Sequence, residues 1–274
     1  MKKLAAVLVT IAMLPVTTSA RADSTSLQTR TGKDIGLSIS SYQYQEPGIM
    51  LLQGMKMGLD LHAVKVLEER GNLIFRGDLR FAFGTVDYYS NSTGSATGNP
   101  DWYIEARGLV GKDWAIKDAV ISPYAGLGYR YLFNDGRGIT STGYGGYRRE
   151  SNYFYFPLGV IHRRALNDQA RLESTLEYDR LLFGKQISSL SDVGGGDSDA
   201  TNNQSSGYGL RLSVMYQESN WSIGPYVYYW NIGQSDIVPA IRNGSQVYKN
   251  GIPMGWIEPN NNTVEFGLKA SQQF

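Results

Sequence analysis

Apolar and polar residues alternate with a period of two along most of this chain, the pattern of strands with one greasy and one wet side. The last stretch, 263–274, shows it plainly. Val264, Phe266, Leu268, Ala270, Gln272 and Phe274 fall on one side, and Glu265, Gly267, Lys269, Ser271 and Gln273 on the other. At 73–83, Leu73, Phe75, Leu79, Phe81 and Phe83 oppose Arg76, Asp78 and Arg80. The same reading predicts about ten strands, at 34–44, 53–65, 73–83, 102–112, 121–133, 152–162, 170–183, 207–216, 221–232 and 263–274. Polar stretches at 87–100, 134–149, 185–206 and 233–262 read as long loops, and 68–72, 113–118, 163–169 and 217–220 as short turns. Long connections follow the odd strands and short ones the even strands, although the first of the long class is modest.

An even number of antiparallel strands with long and short connections in alternation predicts an all-β fold, a closed antiparallel transmembrane β-barrel. A Greek-key sandwich has no reason to keep its long connections on alternate turns. We find no linker, heptad repeat or sustained helical period, which predicts one domain.

On this parity the wet side faces inward. It carries the acids Asp60, Asp78, Glu105, Glu173, Glu177, Asp179 and Glu265, and the bases Lys56, Arg76, Arg80, Arg107, Arg130, Arg211 and Lys269. His62 shares that face with Asp60. A barrel of about ten strands is little wider than the eight-stranded kind that its own side chains fill. The lumen is therefore expected to hold a charge network of mutually neutralising pairs, with Tyr rings in the gaps. Trp102, Tyr131, Phe133, Phe154, Tyr208 and Tyr229 fall toward one end of their strands, and Trp221 and Phe274 toward the other, as aromatic girdles would.

Composition changes this picture little. The chain has 32 Gly, 19 Tyr, 2 His and no Cys, which excludes a disulfide scaffold and thiol catalysis. Met1-Lys2-Lys3, the apolar run from Leu4 to Leu14 and Ala20-Arg21-Ala22 read as a secretory signal peptide, residues 1–22, cleaved after Ala20 or Ala22. Residues 23–274 then form the barrel domain. Without Lys2, Lys3 and Arg21, the 26 Lys and Arg become 23 against 25 Asp and Glu, and nothing points to nucleic acid. His162 lies on the greasy parity beside Arg163 and Arg164, as an interfacial anchor would. Asp197-Ser198-Asp199 offers oxygen ligands but lacks the bidentate Glu and fixed Gly of a calcium loop, so it reads as a solvated loop. No catalytic residue, cofactor or metal is expected.

The amphipathic last strand closed by Phe274 resembles bacterial outer-membrane β-barrels, whose chains typically end in such a strand. Gln272 departs from the apolar residue usual two places before the end. Taken over the whole mature chain, the protein resembles the small outer-membrane barrels grouped with the porin family. That resemblance implies long extracellular loops, short periplasmic turns, and a surround of outer-membrane lipid and lipopolysaccharide. It also implies a final strand, with Phe266, Leu268 and Phe274, that the barrel assembly machinery reads. The function expected is a structural or surface-binding scaffold whose loops hold a ligand, with a narrow passive pore as the alternative. Asp60-Leu61-His62 superficially resembles the Asp-x-His pair of omptins, ten-stranded outer-membrane proteases. Here, however, the pair lies on the second strand near its turn end and not late in the chain at the outer rim, which makes a surface hydrolase the weakest reading.

Overall fold

The computed structural model describes residues 24–274, so the expected signal peptide lies outside the described residues. Ten antiparallel strands form the wall: β1 Gly32–Glu46, β2 Met50–Leu67, β3 Leu73–Ser90, β4 Gly94–Lys112, β5 Ala119–Ile139, β6 Gly145–Ala165, β7 Ala170–Ser188, β8 Gly207–Glu218, β9 Trp221–Ile232 and β10 Asn261–Gln273. Each pairs with its neighbour in sequence. Pairing of β10 with β1, from Asp34↔Gln273 to Gln45↔Asn262, closes the barrel. Closure leaves no open edge in the wall, as a sheet surrounded by hydrocarbon requires.

Two expected loops turn out to be strand. Residues 87–100 and 134–149 lengthen β3, β4, β5 and β6, and only 91–93 and 140–144 remain as turns. Their Ser, Thr, Asn and Gly residues are polar because this part of the wall rises above the apolar band. Hydrophobicity thus reported the surroundings and not the backbone. Long connections remain at 189–206 and 233–260, and even these pair locally. Ala200–Gln204 adds to the upper end of β7, and three short ladders fold the second segment on itself.

The greasy parity faces out. Leu37, Met57, Leu158, Leu176 and Leu268 are all more than half exposed, with Leu37 at 68%. Above them, aromatic rings on neighbouring strands touch around the outside. Trp102 lies 5.4 Å from Tyr131 and 5.5 Å from Phe133, and Tyr208 bridges Tyr178 and Tyr229 at 6.1 and 6.0 Å. A bulge in β7 turns both Leu182 and Phe183 outward and reverses the parity beyond it, so that Leu181 before the bulge and Gln186 after it both point in.

The wet parity faces a lumen packed with charge and phenol. Glycine makes room for the rings, since a Cβ at Gly128 would overlap the Tyr155 ring and one at Gly159 the Tyr124 ring. At the turn end, a single helical turn at Ser24–Leu27 brings Leu27 to 2% exposure, and the Thr29 hydroxyl donates to Asp113 Oδ1 at 3.0 Å.

Candidate functional site: the lumen and its two mouths

Three guanidinium groups organise the middle of the lumen. Arg80 on β3 donates to both oxygens of Asp60 (2.8 and 2.7 Å), to Glu265 (2.7 Å) and to the hydroxyls of Tyr103 (2.6 Å) and Tyr226 (2.7 Å). Both phenols in turn donate to Glu265. Arg211 on β8 forks onto Glu105 at 2.8 and 2.5 Å, with its Nε on Asp179 at 2.7 Å. Arg107 on β4 joins Glu177 and Asp78, both at 2.6 Å. The Tyr155 and Tyr124 hydroxyls complete Glu105 and Glu177. The carboxylates Glu105, Glu177 and Glu265 thus each meet a guanidinium and a phenol. Charges taken out of water can be held only when their remaining hydrogen-bonding capacity is met in this way.

Nearer the turn end, Asp78 also accepts from Arg76 Nε at 2.6 Å and lies 2.7 Å from His62 Nδ1. His62 therefore does not pair with Asp60 two residues before it, as expected of one strand face. Asp60 is taken by Arg80, and the second ring nitrogen of His62 lies 3.9 Å from Asp34. Nearer the loop end, Lys56 holds the Asp101 carboxylate and sits 4.3 Å from the Tyr42 ring centre. Arg130 is a further departure. It lies 4.2 Å from the Tyr103 ring centre with no carboxylate partner among the described residues, and its buried Nε and Nη2 have no hydrogen-bond partner. Cation–π contact takes the place of an ion pair there. Glu173 pairs with Arg163 at 2.7 Å, and Lys269 makes no ion pair among the described residues. His162 is exposed on the outer face.

Several charged residues of this interior escaped the sequence reading, among them Glu46, Asp101, Asp113, Arg149, Arg163 and Glu258. Glu46, Asp101, Arg149 and Arg163 each continue the inward parity of a recognised strand, one or two turns of the pleat beyond the boundary assigned to it. Extending the strands would have found them. Asp113 and Glu258 lie between strands and carry no such signal. Arg149 joins Glu46 at 2.5 Å and also holds Glu258, while the Tyr44 hydroxyl donates to both carboxylates at 3.0 Å. This cluster fastens the 233–260 segment over the loop-side mouth. Asp197, one of the loop acids, pairs with Arg242 of the same segment at 2.8 Å.

Burial pushes the Glu258 carboxyl above its ordinary value of 4.5, and Glu46 adds to the shift while Arg149 opposes it. A folded-state pKa above the unfolded one means that protonation favours the docked form. This contribution is complete below 4.5 and is lost as pH rises through the raised value. Amide exchange at 255–260 should therefore be slower at pH 5 than at pH 8 after correction for intrinsic rates. Equal or faster corrected exchange at pH 5 would rule this out.

No protein-family model matches the chain, and no curated protein matches it. Among solved structures, the outer membrane protease OmpT from Escherichia coli is similar at TM-score 0.53 and 9% identity, over 90% of this chain and 99% of that one. The fold is that of a bacterial outer-membrane β-barrel. The translocator domain of autotransporter NalP from Neisseria meningitidis (TM-score 0.41, 13% identity, 92% of each chain) is a more distant likeness. So is a major outer membrane protein from Thermus thermophilus (TM-score 0.37, 13% identity, 88% of this chain and 99% of that one). At such identities the likeness is one of fold, and proteolysis is said of OmpT alone.

Proposed function

We propose that this barrel resides in the bacterial outer membrane, exported with a cleaved segment at 1–22, and that it does not conduct. It serves as a scaffold whose loop-side surface, built from the raised β3–β4 and β5–β6 hairpins and the 189–206 and 233–260 segments, holds a ligand. Lipid and lipopolysaccharide surround the outward apolar band, and the barrel assembly machinery engages the last strand. The observation that carries this reading is the filled mid-lumen. The side chains of Arg80, Arg107 and Arg211 are 6%, 12% and 6% exposed, and their carboxylate partners at most 5%. An ion passing this section would have to break several charge-assisted bonds at once, which favours the scaffold over the narrow pore.

Planar-bilayer recording tests this. The wild-type protein is expected to give no unitary current, and a triple variant, Asp60→Ala, Arg80→Ala and Glu265→Ala, to give measurable steps under the same conditions. Steady unitary current through the wild type would replace the scaffold with the pore.

A further inference from the structure

At the turn-side mouth lies a cavity of about 120 Å³, roomy enough for several waters or one tetrahedral oxyanion. Its charged lining is not balanced. Two cations there have carboxylate partners, Arg76 in Asp78 and Arg163 in both Glu173 and, at 3.5 Å, Asp113. Arg30, Arg171 and Lys269 make no ion pair within 4.0 Å of a carboxylate among the described residues. Arg171 spends its Nε on the Gln217 side chain at 3.0 Å and Nη1 on the Ser26 carbonyl at 3.2 Å, which fixes the guanidinium without neutralising it. The second carboxylate of the lining is Asp34, which has the His62 ring at 3.9 Å and also feels the charges of Arg76 and Lys269. The lining thus carries five Arg and Lys side chains against two carboxylates, Asp34 and Glu173, and positive charge is in excess at the cavity.

We propose that this vestibule is a binding site for a phosphate group, with Arg171 and Lys269 as its principal donors and Arg30 closing it from the N-terminal segment. Near neutral pH a phosphate carries about −1.5 to −2 charge, which suits a net positive lining, and its oxygens suit the planar fork of a guanidinium. The site lies at the opposite end of the barrel from the proposed scaffold surface and does not depend on that proposal.

Calorimetric titration of the detergent-solubilised mature protein with inorganic phosphate, against chloride at matched ionic strength, tests the site. Phosphate should bind and chloride should not. The double variant Arg171→Gln, Lys269→Gln should weaken phosphate binding about tenfold or more, since two charge-assisted contacts are lost. Lys249→Gln, at the other mouth, should leave it unchanged. Glycerol 3-phosphate provides a second arm. Tighter binding than inorganic phosphate marks the site as one for organic phosphates, and weaker binding as one for the free ion. Should the double variant fail to fold, the wild-type comparison of phosphate with chloride decides alone. Wild-type phosphate binding no tighter than chloride, or undiminished in a folded double variant, overturns the proposal.

Discussion

Replacing Arg80 with Met is expected to destabilise the barrel by about 3–5 kcal/mol, the usual cost of removing one partner from a buried ion cluster. Arg80 holds Asp60, Glu265, Tyr103 and Tyr226 together, with side-chain exposures of 2% and 1% for the two carboxylates. Met fills much of the volume but leaves both carboxylates buried without their cation. Equilibrium unfolding by guanidinium in detergent micelles, compared with wild type at equal slope, measures the difference. A loss under about 1 kcal/mol would mean that water already screens the cluster, as it does for surface pairs. The comparison with Arg80→Met, Asp60→Leu, Glu265→Leu sharpens the test. Apolar replacement of a whole ion cluster is often neutral, but the Tyr103 and Tyr226 hydroxyls would lose the acceptor they share. The triple variant should recover only part of the loss, because an unsatisfied buried hydroxyl costs about 1–3 kcal/mol.

The second large effect belongs to the outer face. Leu268→Arg should cost about 2–4 kcal/mol when the barrel is folded into lipid vesicles, the range for Arg near the bilayer midplane. Ile139→Arg should cost close to nothing. By exposure alone the order would be reversed, since Ile139 is 73% exposed and Leu268 only 54%. What separates them is what they touch. Leu268 pairs across the wall with Ile39 in the middle of the apolar band, whereas Ile139 ends β5 at the tip of a raised polar hairpin. Equal costs at the two positions would refute the lipid-facing assignment of the band.

Much of this was legible in the chain. Period-two alternation is a local property: successive side chains of a strand point to opposite faces, so parity assigned Leu37, Leu158 and Leu268 outward and Arg80, Glu105 and Glu265 inward. Counting such runs yields ten strands. Strand length was less legible, because polar residues continue both into a loop and up a wall that stands in water, and residues 87–100 and 134–149 do the latter. The β7 bulge at Leu182 was hidden for a related reason. A bulge adds one residue to one strand, and only the partner strand reveals the extra residue.

Sequence by itself determined a barrel of about ten strands, their two faces, and the closure of the polar face on itself, because each follows from the pleat and from the need to pair every backbone group. Tertiary structure alone decided which charge meets which. Arg80 reaches Glu265 across the barrel interior, 185 residues away, and Glu258 descends from a long segment onto Arg149. Asp60 and His62 are neighbours on one face yet serve different partners. Pairing inside a closed wall depends on register and strand tilt accumulated around the whole circumference, and no single stretch of the chain carries that information.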